Sequence, residues 1–227
     1  VASLYIMKNI FVMFMTLMFS IITIVSGKAS YPFDTKKMLL IEFFVIGAPT
    51  FIFALQPTGS TPVRGDFMLN ILQSSLAAAV ALIAAVGLAY GLTFTFDTTG
   101  MDAAQIFAYN ASFMTAVMTA VGFVALIVIA MPPDKLRIAT IAVMSAASVG
   151  MVFFDMYVLD GTLFDMQSVQ VAHFGWIALC MVVGLFVNLV ARRIGAAAYR
   201  QFGAQIASRT KLSQLKQRRR KQGKRDQ

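Results

Sequence analysis

Charged residues are scarce in this sequence, and their scarcity excludes an ordinary soluble domain. They make up 13% of the 227 residues, against 59% hydrophobic residues, whereas globular chains average about 25% charged and about 45–50% apolar. Cysteine is scarcer still. The single Cys180 lies in an apolar run, which excludes a disulfide framework and a cysteine metal site.

The charge that is present concentrates at the carboxyl end. Twelve of the 19 Lys and Arg residues lie from Arg192 onward, opposed only by Asp226, which gives this segment a net charge of +11. The preceding 191 residues carry seven basic and nine acidic side chains, a net charge of −2. This division predicts an integral membrane body, residues 1–192, with a basic tail, residues 193–227, and not a uniformly basic nucleic-acid-binding protein.

Six apolar runs are long enough to cross a bilayer, which takes about 20 residues in a helix. Backbone groups find no water in the hydrocarbon core, so each run must be helical, and none alternates with the period of two typical of strands. We therefore predict an all-α polytopic membrane protein with six transmembrane helices. The predicted spans are residues 4–26, 38–55, 68–92, 106–131, 138–159 and 170–191.

The basic tail determines the predicted orientation, because positive charge beside a span is retained in the cytoplasm. Six spans then put both termini on the cytoplasmic side of the cell membrane. The predicted outer loops at 93–105 and 160–169 contain acidic but no basic residues, as the rule requires. Loop 27–37, also predicted outside, is an exception because it contains three lysines and one aspartate: Lys28, Lys36, Lys37 and Asp34.

The first span has an alternative interpretation as a secretory signal peptide, since Lys8 precedes its apolar stretch. That stretch, residues 10–25, is longer than the about 7–15 residues of such a segment. The chain also opens with Val1 and not with methionine. We therefore favour a transmembrane helix, and we expect the chain to be a piece of a longer protein.

The only glutamate of the sequence, Glu42, falls inside the second predicted span. Farther along, Pro49 lacks the N–H that would bond to the carbonyl of Val45, and Gly47 gives the backbone freedom to unwind. An unwound turn close to a carboxylate offers oxygen ligands to a hard cation, as broken helices do in transporters. The alternative is a kink that serves packing, with Glu42 extending to the outer interface near Lys37.

Other polar residues also fall within or close to the spans. Lys8 and Asn9 lie in the first span, where they either reach the cytoplasmic surface or lie deep and need partners. In the second case Glu42 is the natural counter-charge for Lys8. Asp155 and His173 lie near the outer ends of the last two spans, and we interpret them as interfacial groups.

Three stretches form a recognisable pattern: ASLYIMKNIF at 2–11, YPF at 31–33 and IEFFVIGAPTFIFALQP at 41–57. This pattern resembles the fifth and sixth transmembrane helices of bacterial P-type cation-transporting ATPases. The resemblance continues more weakly, through residues 63–67 and 132–137, to the tenth helix of those pumps. Its most specific part is Gly-Ala-Pro followed by Ala-Leu-Gln-Pro.

The resemblance implies that the chain is the carboxy-terminal membrane half of an ATP-driven cation pump. Such pumps use ATP and Mg²⁺ and are phosphorylated on an aspartate of a cytosolic domain, but the sequence contains no Asp-Lys-Thr-Gly stretch. The chain alone would therefore not hydrolyse ATP. Its partner would be the amino-terminal part of the same pump, with four helices and the cytosolic domains.

The resemblance also implies roles for single residues when Pro49 is set on the sixth-helix proline of calcium pumps. Asn9 then matches a ligand Asn of the fifth helix, and Glu42 stands where a ligand Asn is usual. Two positions depart from the calcium-pump pattern, since Ile46 replaces a ligand Asp and Val12 replaces a Glu. Two calcium ions are therefore not expected.

The pattern instead favours the binding of one cation, and calcium is the preferred ion. Its ligands would be Glu42, Asn9 and the carbonyl of Val45, beside Ile46. Lys8 falls where the gastric proton pump carries a lysine, and it would act as an internal counter-charge to the carboxylate.

Two other function classes stay open. A secondary transporter would use the same broken helix without ATP and would show a second break in an inverted repeat, but the later Pro132 and Pro133 fall in a loop. A non-catalytic scaffold would act through its tail, where the basic cluster at 218–225 attracts anionic lipids by about 1 kcal/mol per basic residue near the surface. No aromatic residues are interleaved there, so nucleic acid is not an expected partner.

Overall fold

The computed structural model describes residues 2–27, 31–55, 67–131, 134–159, 161–167 and 169–222. These residues form an all-α fold without strands, and six helices are long and apolar enough to cross a membrane. The predicted fold class is confirmed. The elements are α1 (Ala2–Ser26), α2 (Thr35–Leu40), a π-helical segment (Ile41–Gly47), α3 (Ala48–Ala54), α4 (Phe67–Thr93), α5 (Ala103–Ile129), α6 (Lys135–Val158), a 3-10 turn (Val171–His173) and α7 (Phe174–Gln222).

Three spans begin about three residues before the apolar run, because an aspartate caps each one. Asp34, Asp102 and Asp134 each accept a backbone N–H of the first turn that follows. At Asp102 the cap is reciprocal, since the side chain of Gln105 also accepts the Asp102 N–H. Such caps satisfy donors that have no partner inside the helix, so the polar cap and not the apolar run determines where the helix begins.

Helix α1 is an integral part of the bundle. It packs against α4 and α5, and its buried side chains recur mostly every four residues along one face, the pattern of an amphipathic helix. This packing supports the transmembrane interpretation of the first span over the signal-peptide interpretation. The buried large side chains on this face are Leu4, Met7, Phe11, Met15 and Phe19.

The alanine-rich helix α4 lies at the centre of the bundle, where it contacts α1, α5 and α7. Ala78, Ala85 and Ala89 are fully buried, and small side chains of this kind let helix backbones approach closely in a membrane. The sequence predicts close packing of α4 on α5. The two helices do pack, but the most extensive interface of α4 is with α7.

Helix α7 continues past the predicted end of the membrane domain. Its membrane-spanning part is Phe174–Ala198, and the backbone stays helical across residues 192 and 193 as far as Gln222. At about 1.5 Å per residue the 49-residue helix is about 74 Å long. Because the hydrocarbon core is about 30 Å thick, α7 extends well beyond it.

The segment that precedes α2 runs back along α1. Phe33 is buried and packs edge-on against Phe11 and Phe19, with ring centroids 6.0 and 6.4 Å apart. Tyr31 packs edge-on against the same Phe19 at 6.1 Å. These contacts fix the height at which α2 begins beside α1, and so the register of the two helices.

We predict that Gly184→Ala destabilises the bundle. A β-carbon at Gly184 of α7 would lie 2.7 Å from the Val121 Cγ1 atom of α5, and the branched valine cannot turn aside without losing its rotamer. Overpacking of this kind costs about 1–3 kcal/mol, against a gain of about 1 kcal/mol in helix propensity. The matched control is Gly150→Ala in α6, where no atom lies within 4 Å of the new carbon.

Thermal unfolding of the purified chain in detergent measures both variants. Gly184→Ala should unfold at a lower temperature than the parent, and Gly150→Ala should unfold at the same or a higher temperature. Equal stability of the two variants would show that α7 and α5 are less tightly packed at this point.

Candidate cation site at the π-helical segment

The second crossing widens in its middle. Residues Ile41–Gly47 are π-helical, with backbone N–H groups bonding five residues back, and the N–H of Ala48 donates to the carbonyl of Phe43 in this way. Pro49 follows directly and has no N–H to offer. The expectation of an unwound turn is therefore wrong. The helix widens instead, because the apolar surroundings require backbone groups to stay bonded.

Glycine at position 47 makes the wide turn possible. A β-carbon there would lie 3.0 Å from the carbonyl oxygen of Glu42, closer than side-chain carbons ordinarily come to a backbone oxygen. The turn ends on a polar contact, since the hydroxyl of the buried Thr50 donates to the Gly47 carbonyl at 3.0 Å. In the Gly-Ala-Pro-Thr sequence, the glycine thus allows a close approach to the Glu42 carbonyl, the proline lacks an N–H donor, and the threonine supplies a hydroxyl donor.

Glu42 lies on the first turn of this segment and forms an ion pair with Lys8 of α1. The Lys8 Nζ and Glu42 Oε1 atoms are 2.6 Å apart, and the two side chains are 25% and 43% exposed. The Lys8–Glu42 pair joins the first and second crossings. The counter-charge that the sequence suggests for Glu42 is therefore the one in contact with it.

The pair lies within the apolar thickness of the bundle. Toward the predicted inner end, the Arg137 guanidinium lies 5.8 Å from the centroid of the Phe53 ring, about 16 Å along the helix from Glu42 at about 1.5 Å per residue. Toward the predicted outer end, Lys37 lies about 8 Å from Glu42 on the same basis. The pair is thus separated from the polar groups at both ends.

The other predicted ligands do not join this pair. Asn9 is exposed, whereas its neighbours Met7 and Phe11 face the core, so its amide points away from the bundle. Val45 and Ile46 are 0% and 1% exposed. The Val45 side chain packs closely on α5, since a β-carbon at Gly122 would lie 3.3 Å from Val45 Cγ1.

A second cluster of charges lies one turn and a half before Glu42, at the predicted outer end. Lys37 is only 3% exposed, and its Nζ atom lies 2.9 Å from Asp165 and 3.6 Å from Asp34. The neighbouring Lys36 donates to the carbonyl of Thr162 at 3.0 Å. Two of the three lysines of the predicted outer loop, Lys36 and Lys37, thus hold the α6–α7 loop to α2, whereas Lys28 lies outside the described residues.

The α6–α7 loop is also held from α6. Asp155 is fully buried, and its carboxylate accepts the N–H groups of Leu163 and Phe164 at 2.8 and 2.9 Å. The interpretation of Asp155 as an interfacial group is therefore wrong. The Asp155 carboxylate accepts two loop N–H groups that would otherwise bond to water. The same loop includes Asp165, which adopts a positive φ of 50°.

His173 lies at the predicted outer end, as expected, and is half-buried. Its ring stacks on Phe96 with centroids 3.9 Å apart, and its Nδ1 atom bonds to the Tyr109 hydroxyl at 2.5 Å. That hydroxyl also accepts the N–H of Gln170 at 3.2 Å. His173 therefore ties the start of α7 to α5.

Two further buried polar side chains, Asn188 and Arg192, are not among the predicted site residues. Asn188 of α7 is fully buried, and neither its amide oxygen nor its nitrogen has a partner in the part of the chain that the structure describes. One turn farther on, the Nε and Nη2 atoms of Arg192 are also buried without partners there. Asparagine in an apolar run was the available signal, but one asparagine does not indicate which neighbour it faces.

Side chains alone do not form a metal centre here. Among the described residues, no three His, Cys, Asp or Glu side chains converge on a point where an ion could bind. Any cation at Glu42 must therefore take most of its ligands from backbone oxygens, amides or water. Comparison of the chain with known protein families, with curated proteins and with solved structures finds no match to any of them.

We predict that Asp165→Asn destabilises the folded chain by about 1 kcal/mol. The change leaves the buried Lys37 with Asp34 alone, and an exposed partner such as Asp165 contributes less than a buried one. Asparagine tolerates the positive φ at this position, so the loss reports on the charge. The control is Asp134→Asn, because asparagine caps a helix about as well as aspartate.

Chemical or thermal unfolding in detergent at low and high salt measures the difference. The destabilisation should appear for Asp165→Asn only. If both variants match the parent, the pair with Lys37 does not stabilise the loop.

Proposed function

We propose that this chain is the carboxy-terminal transmembrane portion of an ATP-driven cation pump and supplies part of its ion-binding site and pathway. The observation that carries the proposal is the Lys8–Glu42 pair beside a π-helical segment, inside the apolar thickness of a six-helix bundle. Ionisable residues at such depth mark ion pathways, and π-helical turns are frequent at functional sites.

The pair supports an exchange of cations at one carboxylate. In the cation-free state Lys8 neutralises Glu42, which avoids an uncompensated charge in an apolar environment. An incoming cation takes the carboxylate and repels the lysine ammonium, which then moves aside. When the cation leaves, Lys8 returns, so the Glu42 carboxylate is neutralised in both states.

The ligand set that we propose is narrower than the one the sequence suggests. Glu42 supplies the carboxylate, and the one carbonyl near Val45 that loses its donor at Pro49 supplies a neutral oxygen. Asn9 joins only if α1 rotates, since its amide faces away in the described conformation. Oxygen ligands of this kind suit a hard cation, and Ca²⁺ is the first to test.

The energy source must come from outside this chain. In the proposal, ATP and Mg²⁺ are bound by the amino-terminal part of the same pump, which contributes four more helices and the cytosolic domains. A secondary transporter with an inverted repeat is less favoured. The other described crossings, α4 to α7, contain no second interruption like the one in the second crossing.

The basic end of the chain supports a further partner. Arg193 is exposed near the end of the membrane-spanning part of α7, and the helix leads from there toward the basic cluster at 218–225. We propose that anionic phospholipids bind these residues by charge, at about 1 kcal/mol per residue close to the surface. This contact would anchor the tail and requires no transport, so a scaffold remains the alternative function.

Glu42→Gln in the intact pump should abolish cation-dependent phosphorylation, because the neutral amide binds a cation weakly and no longer needs Lys8. The measurement is phosphoenzyme formed from labelled ATP across a series of Ca²⁺ concentrations. The control is Asp97→Asn, an acidic residue of the exposed segment between α4 and α5. Unchanged cation dependence in Glu42→Gln would remove this residue from the site.

Lys8→Gln separates the proposed exchange from a merely structural ion pair. If Lys8 competes with the cation for Glu42, its removal should raise the apparent cation affinity several-fold. A lower or unchanged affinity in a folded variant would contradict the exchange. Identification of an Asp-Lys-Thr-Gly motif in the upstream coding sequence would test the pump assignment directly.

A further inference from the structure

A separate cavity lies at the predicted outer end, away from the Lys8–Glu42 pair. It measures about 370 Å³ and is formed by the end of α4, the start of α5 and the segment between them. Ligand pockets begin at about 300 Å³, so this cavity is large enough for a small organic group. Residues of this cavity used below are Tyr90, Thr93, Phe94, Phe96, Phe107 and Asn110.

The cavity contains an acceptor without a donor. The Asn110 Oδ1 atom is buried and has no hydrogen-bond partner within the described residues. A second acceptor is available at Thr93, whose hydroxyl proton is used on the Tyr90 carbonyl at 2.7 Å and whose oxygen lone pairs remain. A buried acceptor that is left unpaired is costly, so the cavity favours a ligand that brings N–H or O–H groups.

Aromatic rings form most of the remaining wall. Tyr90 and Phe94 pack edge to face with centroids 5.2 Å apart. Phe96 is held in place by the stack on His173, and Phe107 is 42% exposed at the opening. Aromatic faces attract cations that approach within about 6 Å, which adds a preference for positive charge.

The charged residues around the cavity also favour a positively charged ligand. None of the described residues that line it is charged, and the charged residues of the adjoining segment are Asp97 and Asp102. The hydroxyl and the N–H of Thr99 bond to Asp97 and lower the pKa of its carboxyl, so it is ionised at neutral pH. The surroundings therefore attract cations and repel anions.

We propose that this cavity binds a primary alkylammonium group, with an N–H donated to Asn110 Oδ1 and the aromatic rings around the positive charge. A bare metal ion would find no carboxylate in the wall, and a quaternary ammonium would leave the amide oxygen unpaired. The group comes either from a dissolved amine or from the ethanolamine headgroup of a phospholipid. Both share this chemistry, and both reach the end of a membrane-spanning helix.

Titration calorimetry of the full chain, in detergent free of phosphatidylethanolamine, tests the dissolved source with ethanolamine as probe. Tetramethylammonium, which has charge but no N–H, serves as the comparison and should bind at least about tenfold more weakly, as expected for loss of a charge-assisted hydrogen bond. Native mass spectrometry from nanodiscs with equal phosphatidylethanolamine and phosphatidylglycerol tests the lipid source. Binding in either arm supports the proposal and identifies the source, and binding in neither arm overturns it.

Variants tie any binding to the cavity. Asn110→Ala should weaken binding about tenfold, whereas Asn70→Ala, which removes an exposed amide at the other end of α4, should leave it unchanged. Phe107→Leu provides a second test at an exposed position, where the smaller side chain removes an aromatic face, and it should weaken binding severalfold. Equal binding of ethanolamine and tetramethylammonium, or full binding by a folded Asn110→Ala, would overturn the assignment.

Discussion

In a hydrocarbon environment, a backbone that cannot bond to water must bond to itself, and the middle of the second crossing depends on this constraint. Pro49 removes one donor from the helix. The chain responds with seven π-helical residues, a glycine against the Glu42 carbonyl and a threonine hydroxyl on the Gly47 carbonyl. The only glutamate of the sequence lies on this widened stretch, so the backbone irregularity and the acidic group lie together.

The charged side chains of the bundle are subject to the same constraint, because they too need partners where water is absent. Lys8 neutralises Glu42, and Lys37 is neutralised by Asp165 and Asp34. Asp155 is fully buried and satisfies two N–H groups of the loop. In each of these clusters the charged groups have a partner of opposite charge or a hydrogen-bond donor. This pairing explains how ionisable residues are accommodated in so apolar a chain.

The sequence was informative wherever the signal was local. Apolar runs predicted six crossings, and a lone glutamate with a lysine one crossing away predicted their pairing. Where two partners lie far apart along the chain, the sequence does not predict their contact. Lys37 and Asp165 are separated by 128 positions, and only an unexplained excess of lysine in a predicted outer loop hinted at the contact. The burial of Asp155 is not predictable either, because a position near a span end does not indicate which loop folds over it.

The π-helical segment before Pro49 shows the limit of reasoning from one residue. A missing N–H predicts that a bond is lost, but the neighbouring turns decide whether the helix opens or changes its pitch. Asn9 shows the same limit for faces: it is adjacent to Lys8 in sequence, yet successive helical residues point about 100° apart. One therefore faces Glu42, and the other faces outward.

The second crossing is attached at three heights: to the α6–α7 loop through Lys36 and Lys37, to α1 through Lys8, and to Arg137 through Phe53. Sliding this crossing along its axis would strain all three attachments at once. Rotation about that axis would separate the same pairs, because each depends on the direction in which its side chain points. The second crossing is therefore held at one height and in one orientation, and moving Glu42 away from Lys8 requires the neighbouring elements to move with it.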